Sequence, residues 1–106
     1  MSRRQPPQEE VCFGEYIKRL RQSRGMPLRK LSALLDLDQS TLSKVERSQR
    51  TLPSELLPAL ARAFGLNEDE LRVRYLSDKI LLQLRSETLV REVLRVAEER
   101  VGLYTP

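Results

Sequence analysis

The sequence predicts an all-α fold. Apolar residues recur at intervals of three and four residues from about residue 12 to residue 101, which places them on one face of a helix. Glycine and proline interrupt this spacing, so the pattern divides into several short helices. No segment shows the alternation of apolar and polar residues that is typical of a strand. We therefore expect a bundle of about four helices followed by two further helices.

Glycine and proline delimit the first two predicted helices. Helix one spans about residues 12–23 and ends before Gly25, which can adopt the left-handed conformation of a helix C-terminus. Pro27 suits the first turn of helix two, which ends near Asp36. The apolar stripe of helix two consists of Leu28, Leu31, Leu34 and Leu35.

Helices three and four follow after short breaks. The carboxylate of Asp38 can accept from the free N–H groups of a first turn, so Asp38 is the predicted N-cap of helix three, with Leu42 and Val45 facing inward. Pro53 interrupts the chain again before helix four, which ends at Gly65.

Two more helices are predicted in the C-terminal part. Asn67 and Glu70 have the spacing of a capping box, which opens helix five at about residues 67–85, and helix six spans about residues 87–101. We accordingly divide the chain into three parts. They are a flexible N-terminal tail at residues 1–10, a domain at residues 11–66 and a C-terminal helical extension at residues 67–106.

Charge and composition limit the classes of function. Residues 11–53 carry nine basic and four acidic side chains, whereas residues 54–106 carry eight and nine. Basic charge concentrated in one segment is expected of a phosphate-binding surface, although a solvated basic face has the same composition. The chain has no histidine and a single cysteine, Cys12, so we expect no metal site, no cofactor and no enzyme activity. It shows neither a signal-peptide pattern nor an apolar run of membrane-spanning length, so a cytoplasmic location is expected.

The connection between helices two and three is only about three residues long, at residues 36–38. It forces a sharp corner between two short amphipathic helices, which is helix-turn-helix geometry. If the apolar side of helix three is buried, its other side offers polar groups that can read base edges in a major groove. These candidate base-reading residues are Gln39, Ser40, Ser43 and Lys44. An ordinary solvated helix face is the alternative.

The segment from Ile17 to Pro53 resembles the Cro and phage-repressor family of helix-turn-helix regulators, also called the xenobiotic-response-element or XRE family. The matching positions are Leu20, Arg21, Leu31, the run from Asp38 to Glu46, and Pro53. Two positions depart from the family pattern, because Ser32 replaces an alanine and Asp36 replaces a glycine.

The resemblance implies a lambda-repressor-like bundle and a sequence-specific regulator, either a repressor or an autoregulator of transcription. Such a protein binds double-stranded DNA as a homodimer on a near-palindromic operator, with helix three, about residues 39–47, in the major groove. The resemblance also implies an ion pair between Arg21 and Glu46. The candidate phosphate contacts that it implies are Arg29, Lys30, Arg47, Gln49 and Arg50.

The last two predicted helices are longer and more apolar than closure of a small core requires. We expect them to form a dimer interface, and packing over the core of the same chain is the alternative. The candidate dimerisation residues are Leu76, Ile80, Leu84, Val90, Val93, Leu94, Ala97 and Val101. A second function remains open at this point, that of a protein-binding adaptor or antitoxin-like module whose C-terminal helices bind a partner.

Overall fold

The computed structural model describes residues 12–104, and every regular element among them is helical. The six α-helices within this range are α1 (Phe13–Ser23), α2 (Leu28–Leu35), α3 (Gln39–Glu46), α4 (Leu57–Phe64), α5 (Glu68–Gln83) and α6 (Val90–Tyr104), with a 3-10 turn at Ser54–Leu56 before α4. The prediction of an all-α fold is therefore confirmed. The tail expected at residues 1–10 lies outside the described residues.

Side chains at the helix ends explain where several of these helices begin and stop. The side chain of Asp38 accepts from the Thr41 N–H group at 2.8 Å, and that of Asn67 accepts from the Glu70 N–H group at 2.9 Å. Both are N-cap contacts that satisfy first-turn donors. Asp36 ends α2 with φ at 53°, so it adopts the left-handed conformation for which glycine is usual at this corner.

One core joins the first four helices to the first half of α5. Its most completely buried apolar side chains are Ile17, Leu31, Leu35, Leu42, Leu52, Leu57 and Leu60. Leu71 and Tyr75 of α5 are each only 3% exposed, and the Tyr75 hydroxyl donates to the Leu52 carbonyl oxygen at 2.5 Å. The packed core thus continues past residue 66, where the sequence suggested a boundary, because α5 supplies two of its large side chains.

The crossing of α1 and α3 depends on Gly14. A Cβ atom at this position would overlap with the carbonyl oxygen of Val45, so the two helix backbones approach more closely than any side chain allows. Glycine within a helix is otherwise unfavourable, and here it permits the close crossing that brings α3 against α1.

The apolar stripe of α2 is narrower than the sequence pattern suggests. Leu31 and Leu35 are buried, but Leu34 is 48% exposed. Successive residues of a helix are about 100° apart, so Leu34 lies to one side of the buried row formed by Leu31 and Leu35. Its side chain is therefore at the edge of the stripe and not in the core.

The C-terminal region contributes little to the core. None of the side chains of α6 is buried. Large apolar side chains are exposed along the second half of α5, just before α6 and along α6, among them Leu76, Ile80, Leu81, Leu82, Leu89, Val93, Leu94 and Val101. Among residues 12–104, no helix combines the length and apolar character needed to cross a membrane.

Candidate nucleic-acid interface

The helix α3 has one buried and one exposed side. Leu42, Val45 and Glu46 are buried against the rest of the domain. Gln39, Ser40 and Lys44 are exposed, and Ser43 is half-buried at the border between the two sides. The structure therefore turns three of the four candidate base-reading side chains fully to solvent and leaves the fourth at the margin.

An ion pair holds the C-terminal end of α3 in place. The Arg21 guanidinium donates to both carboxylate oxygens of Glu46, with Nε···Oε2 at 2.8 Å and Nη2···Oε1 at 2.9 Å, and its Nη1 donates to the Met26 carbonyl oxygen at 2.9 Å. The side chains of Arg21 and Glu46 are only 13% and 5% exposed. The hydrogen bonds to Glu46 raise the pKa of Arg21 above its usual value, so the guanidinium is charged and connects α1, α3 and the turn before α2.

The N-terminal end of α3 is organised by Asp38. The Asp38 carboxylate accepts from Thr41, and these hydrogen bonds lower its pKa, with a smaller contribution from Ser40. The Ser40 hydroxyl donates to Asp38 Oδ1 at 3.3 Å. Its hydrogen therefore points toward the cap, which leaves the oxygen lone pairs of Ser40 available as acceptors.

The candidate phosphate-binding residues are all exposed. Arg29 and Lys30 lie in the first turn of α2, and Arg47, Gln49 and Arg50 follow α3. Arg47 Nε donates to the Ser43 carbonyl oxygen at 3.3 Å, so this side chain folds back along α3. Flexible cations at the edges of a polar helix face can contact the phosphates on either side of a groove.

A left-handed residue after α3 turns the chain away from the helix. Ser48 has φ at 62°, and the Gln49 N–H group donates to the Lys44 carbonyl oxygen at 2.8 Å. These contacts close the end of α3 and set the direction of the loop that carries Gln49 and Arg50.

Two further positions support the site. Ser32, which departs from the family's alanine, is buried, and its hydroxyl donates to the Arg29 carbonyl oxygen at 2.9 Å. Asp78 of α5, which was missed, accepts from the Phe13 N–H group at 3.2 Å and so caps the start of α1. The available signal was that Asp78 follows Tyr75 by three residues, which puts a carboxylate on the side of α5 that faces the core.

Comparison with known proteins agrees with this architecture. The helix-turn-helix family model matches residues 17–71, a span that contains most of α1, all of α2, α3 and α4, and the start of α5. Neither the curated proteins nor the solved structures gave a match to the chain. The family has a lambda-repressor-like fold and is not known for catalysis. Since the match covers more than half of the chain, the protein belongs to the helix-turn-helix family of the XRE, or Cro and phage-repressor, type.

Proposed function

We propose that this protein is a sequence-specific transcriptional regulator that inserts α3 into the major groove of double-stranded DNA. The observation that carries the proposal is the orientation of α3. Its apolar side is buried while Gln39, Ser40 and Lys44 are exposed on the side away from the core. Family membership supports DNA binding as the general function.

The exposed groups of α3 suit direct reading of bases. A glutamine side chain can form a bidentate pair with adenine, so Gln39 at the start of the helix is assigned to an adenine. Lys44, one turn further along, suits the acceptors of guanine or a nearby phosphate. Ser40 and Ser43 complete the reading side, with Ser40 acting as an acceptor because its hydrogen is directed at Asp38.

Phosphate contacts add affinity without adding much specificity. We assign them to Arg29 and Lys30, which precede α3 in the sequence, and to Arg47, Gln49 and Arg50, which follow it. All five side chains are exposed, and four of them are cationic. Neutralising phosphates releases counterions from the duplex, so binding through these residues weakens as salt concentration rises.

The proposed active form is a homodimer on a near-palindromic operator, acting inside the cell as a repressor or an autoregulator. Two copies related by a twofold axis place their reading helices one DNA turn apart. The interface is assigned to apolar side chains of α5, of the residue that follows it and of α6, namely Leu76, Ile80, Leu84, Val90, Val93, Leu94, Ala97 and Val101. Leu84 and Val90 are half-buried and the others are exposed, and this exposure supports the assignment.

Selection of bound duplexes from a random pool tests this function. The full chain should enrich a motif with two related halves, and affinity for that motif should fall steeply between low and physiological salt. A pool without an enriched motif, or an affinity that salt leaves unchanged, would contradict the proposal.

A further inference from the structure

A cavity of about 550 Å³ lies between the start of α1, the loop after α3 and the middle of α5. Its volume lies within the range of small-molecule sites in proteins. Apolar side chains form much of its wall, including the buried Phe13, Leu52 and Tyr75 and the more exposed Leu81 and Leu82. The cavity can therefore hold an apolar body of several carbon atoms.

The charged groups around this cavity are mainly basic. Arg50, Lys79 and Arg85 line it, against the single carboxylate of Asp78. One oxygen of that carboxylate already accepts from the Phe13 N–H group. Lys79 lies over the Tyr75 ring, with its Nζ 5.2 Å from the ring centroid, which places a cation next to an apolar wall.

The N-terminus of α1 also borders the cavity. Phe13 and Gly14 line the cavity and form the first turn of this 11-residue helix. The aligned peptide dipoles favour an anion at this end, and the Asp78 carboxylate already fills that role by accepting from the Phe13 N–H group. The positive charge left for a ligand is therefore that of the three cationic side chains around the apolar cavity.

We propose that this cavity binds a small amphipathic organic anion, in which a carboxylate is joined to an apolar body. The apolar body occupies the space between Leu52, Tyr75 and Leu82, and the carboxylate lies among Arg50, Lys79 and Arg85. Because the cavity wall includes Gln49 and Arg50, which follow α3, an occupant there changes the position of two assigned phosphate contacts and thereby DNA affinity. This last step rests on the proposed function, whereas binding of the anion does not.

Cys12 provides a direct readout of occupancy. It is the only cysteine of the chain, it lines the cavity, and its Sγ is 2.6 Å from the Ser48 hydroxyl oxygen. Decanoate bound in the cavity should slow alkylation of Cys12 by neutral iodoacetamide in the full chain without DNA. Nonyltrimethylammonium has the same nonyl chain and the opposite charge, and it should leave the rate unchanged.

Matched variants separate this site from general binding to exposed apolar surface. The double variant Lys79→Gln and Arg85→Gln should raise the decanoate concentration for half-protection by about fivefold, as expected for the loss of exposed ion pairs. The double variant Arg91→Gln and Arg100→Gln removes the same charge from α6 and should leave the decanoate concentration for half-protection unchanged. Shifts of backbone amide resonances on adding decanoate should be confined to the start of α1, the loop at residues 48–52 and α5.

The outcomes distinguish this proposal from the DNA-binding function. Equal protection by the two detergent-like ions, no protection by decanoate, or shifts centred on α6 would overturn the cavity as an anion site. Protection that depends on Lys79 and Arg85 supports it, whatever the chain does with DNA. If decanoate protects Cys12 but leaves the affinity for a selected duplex unchanged, the coupling through Gln49 and Arg50 is overturned.

Discussion

Arg21 and Glu46 join α1 to the last residue of α3 through two N–H···O hydrogen bonds at 2.8 and 2.9 Å. Both side chains are largely buried, so the pair is shielded from the solvent that weakens most surface ion pairs. Since the pair lies at the end of α3, the orientation of α3 depends on a charged contact as well as on apolar packing.

Removing either partner of this pair should destabilise the fold strongly. Arg21→Ala leaves the Glu46 carboxylate buried without its cation, and Glu46→Ala leaves the Arg21 guanidinium without its acceptors. Each change should lower the free energy of unfolding by about 3 kcal/mol. Chemical denaturation measures this, and the double variant should lose less than the sum of the two single losses. Additive losses would show that the two side chains do not interact.

Gly14→Ala should be destabilising although alanine is the better helix former. The added Cβ meets the Val45 carbonyl oxygen, so α1 and α3 must separate. We expect a loss of up to about 3 kcal/mol in thermal or chemical unfolding, as for other overpacked positions. Gly102→Ala is the matched control, because nothing lies within 4 Å of a Cβ there, and its stability should be unchanged or slightly raised. Equal effects of the two substitutions would argue against the close helix crossing.

The contribution of Asp38 to stability should depend on pH. Hydrogen bonds from Thr41 lower the pKa of Asp38 in the folded chain. Folding therefore favours the ionised form of this carboxyl over the protonated form. The resulting stability is present above the unfolded pKa of about 3.9 and is lost as pH falls through the lower folded pKa. Asp38→Asn keeps an N-cap acceptor but does not titrate. The stability difference between wild type and this variant should therefore shrink as pH is lowered from 5, and a difference independent of pH would contradict this account.

The proposed dimer is tested by a charge placed on α6. Leu94 is 39% exposed, so Leu94→Glu should fold normally but should convert a dimer to a monomer by burying a carboxylate in the interface. Arg91→Glu, on an exposed position of the same helix, is the control and should remain dimeric. Sedimentation equilibrium over a range of concentrations measures both. A monomeric wild-type chain would contradict the dimer and would leave the apolar residues of α6 available for a different protein partner.

The helices could be predicted from the sequence because their causes are local. The spacing of Leu31 and Leu35, the acceptor at Asp38 and the glycine at Gly65 act within a turn or two of the chain. The left-handed conformation of Asp36 also has a local cause, because a short polar side chain tolerates that conformation. The pairing of Arg21 with Glu46 was expected only from the family resemblance, since the two residues are 25 positions apart.

The role of α5 could not be predicted in the same way. The break at Gly65 and the cap at Asn67 suggested a separate extension after residue 66. The contacts that draw α5 into the core join residues far apart in the chain, Tyr75 with Leu52 and Asp78 with Phe13. Such tertiary contacts leave no local pattern in the sequence. The cavity that these residues help to enclose therefore could not be predicted from the sequence either.

Substitution of Gln39 tests the central claim most directly. The quantity to measure is the ratio of affinities for a selected duplex and for a scrambled duplex of the same length, at fixed salt, for wild type, Gln39→Ala and Arg50→Ala. Gln39→Ala should reduce binding to the selected duplex by about 1 to 3 kcal/mol and leave binding to the scrambled duplex nearly unchanged, whereas Arg50→Ala should weaken both alike. If Gln39→Ala weakened both duplexes equally, or neither, α3 would not be reading bases in the way that its exposed side indicates.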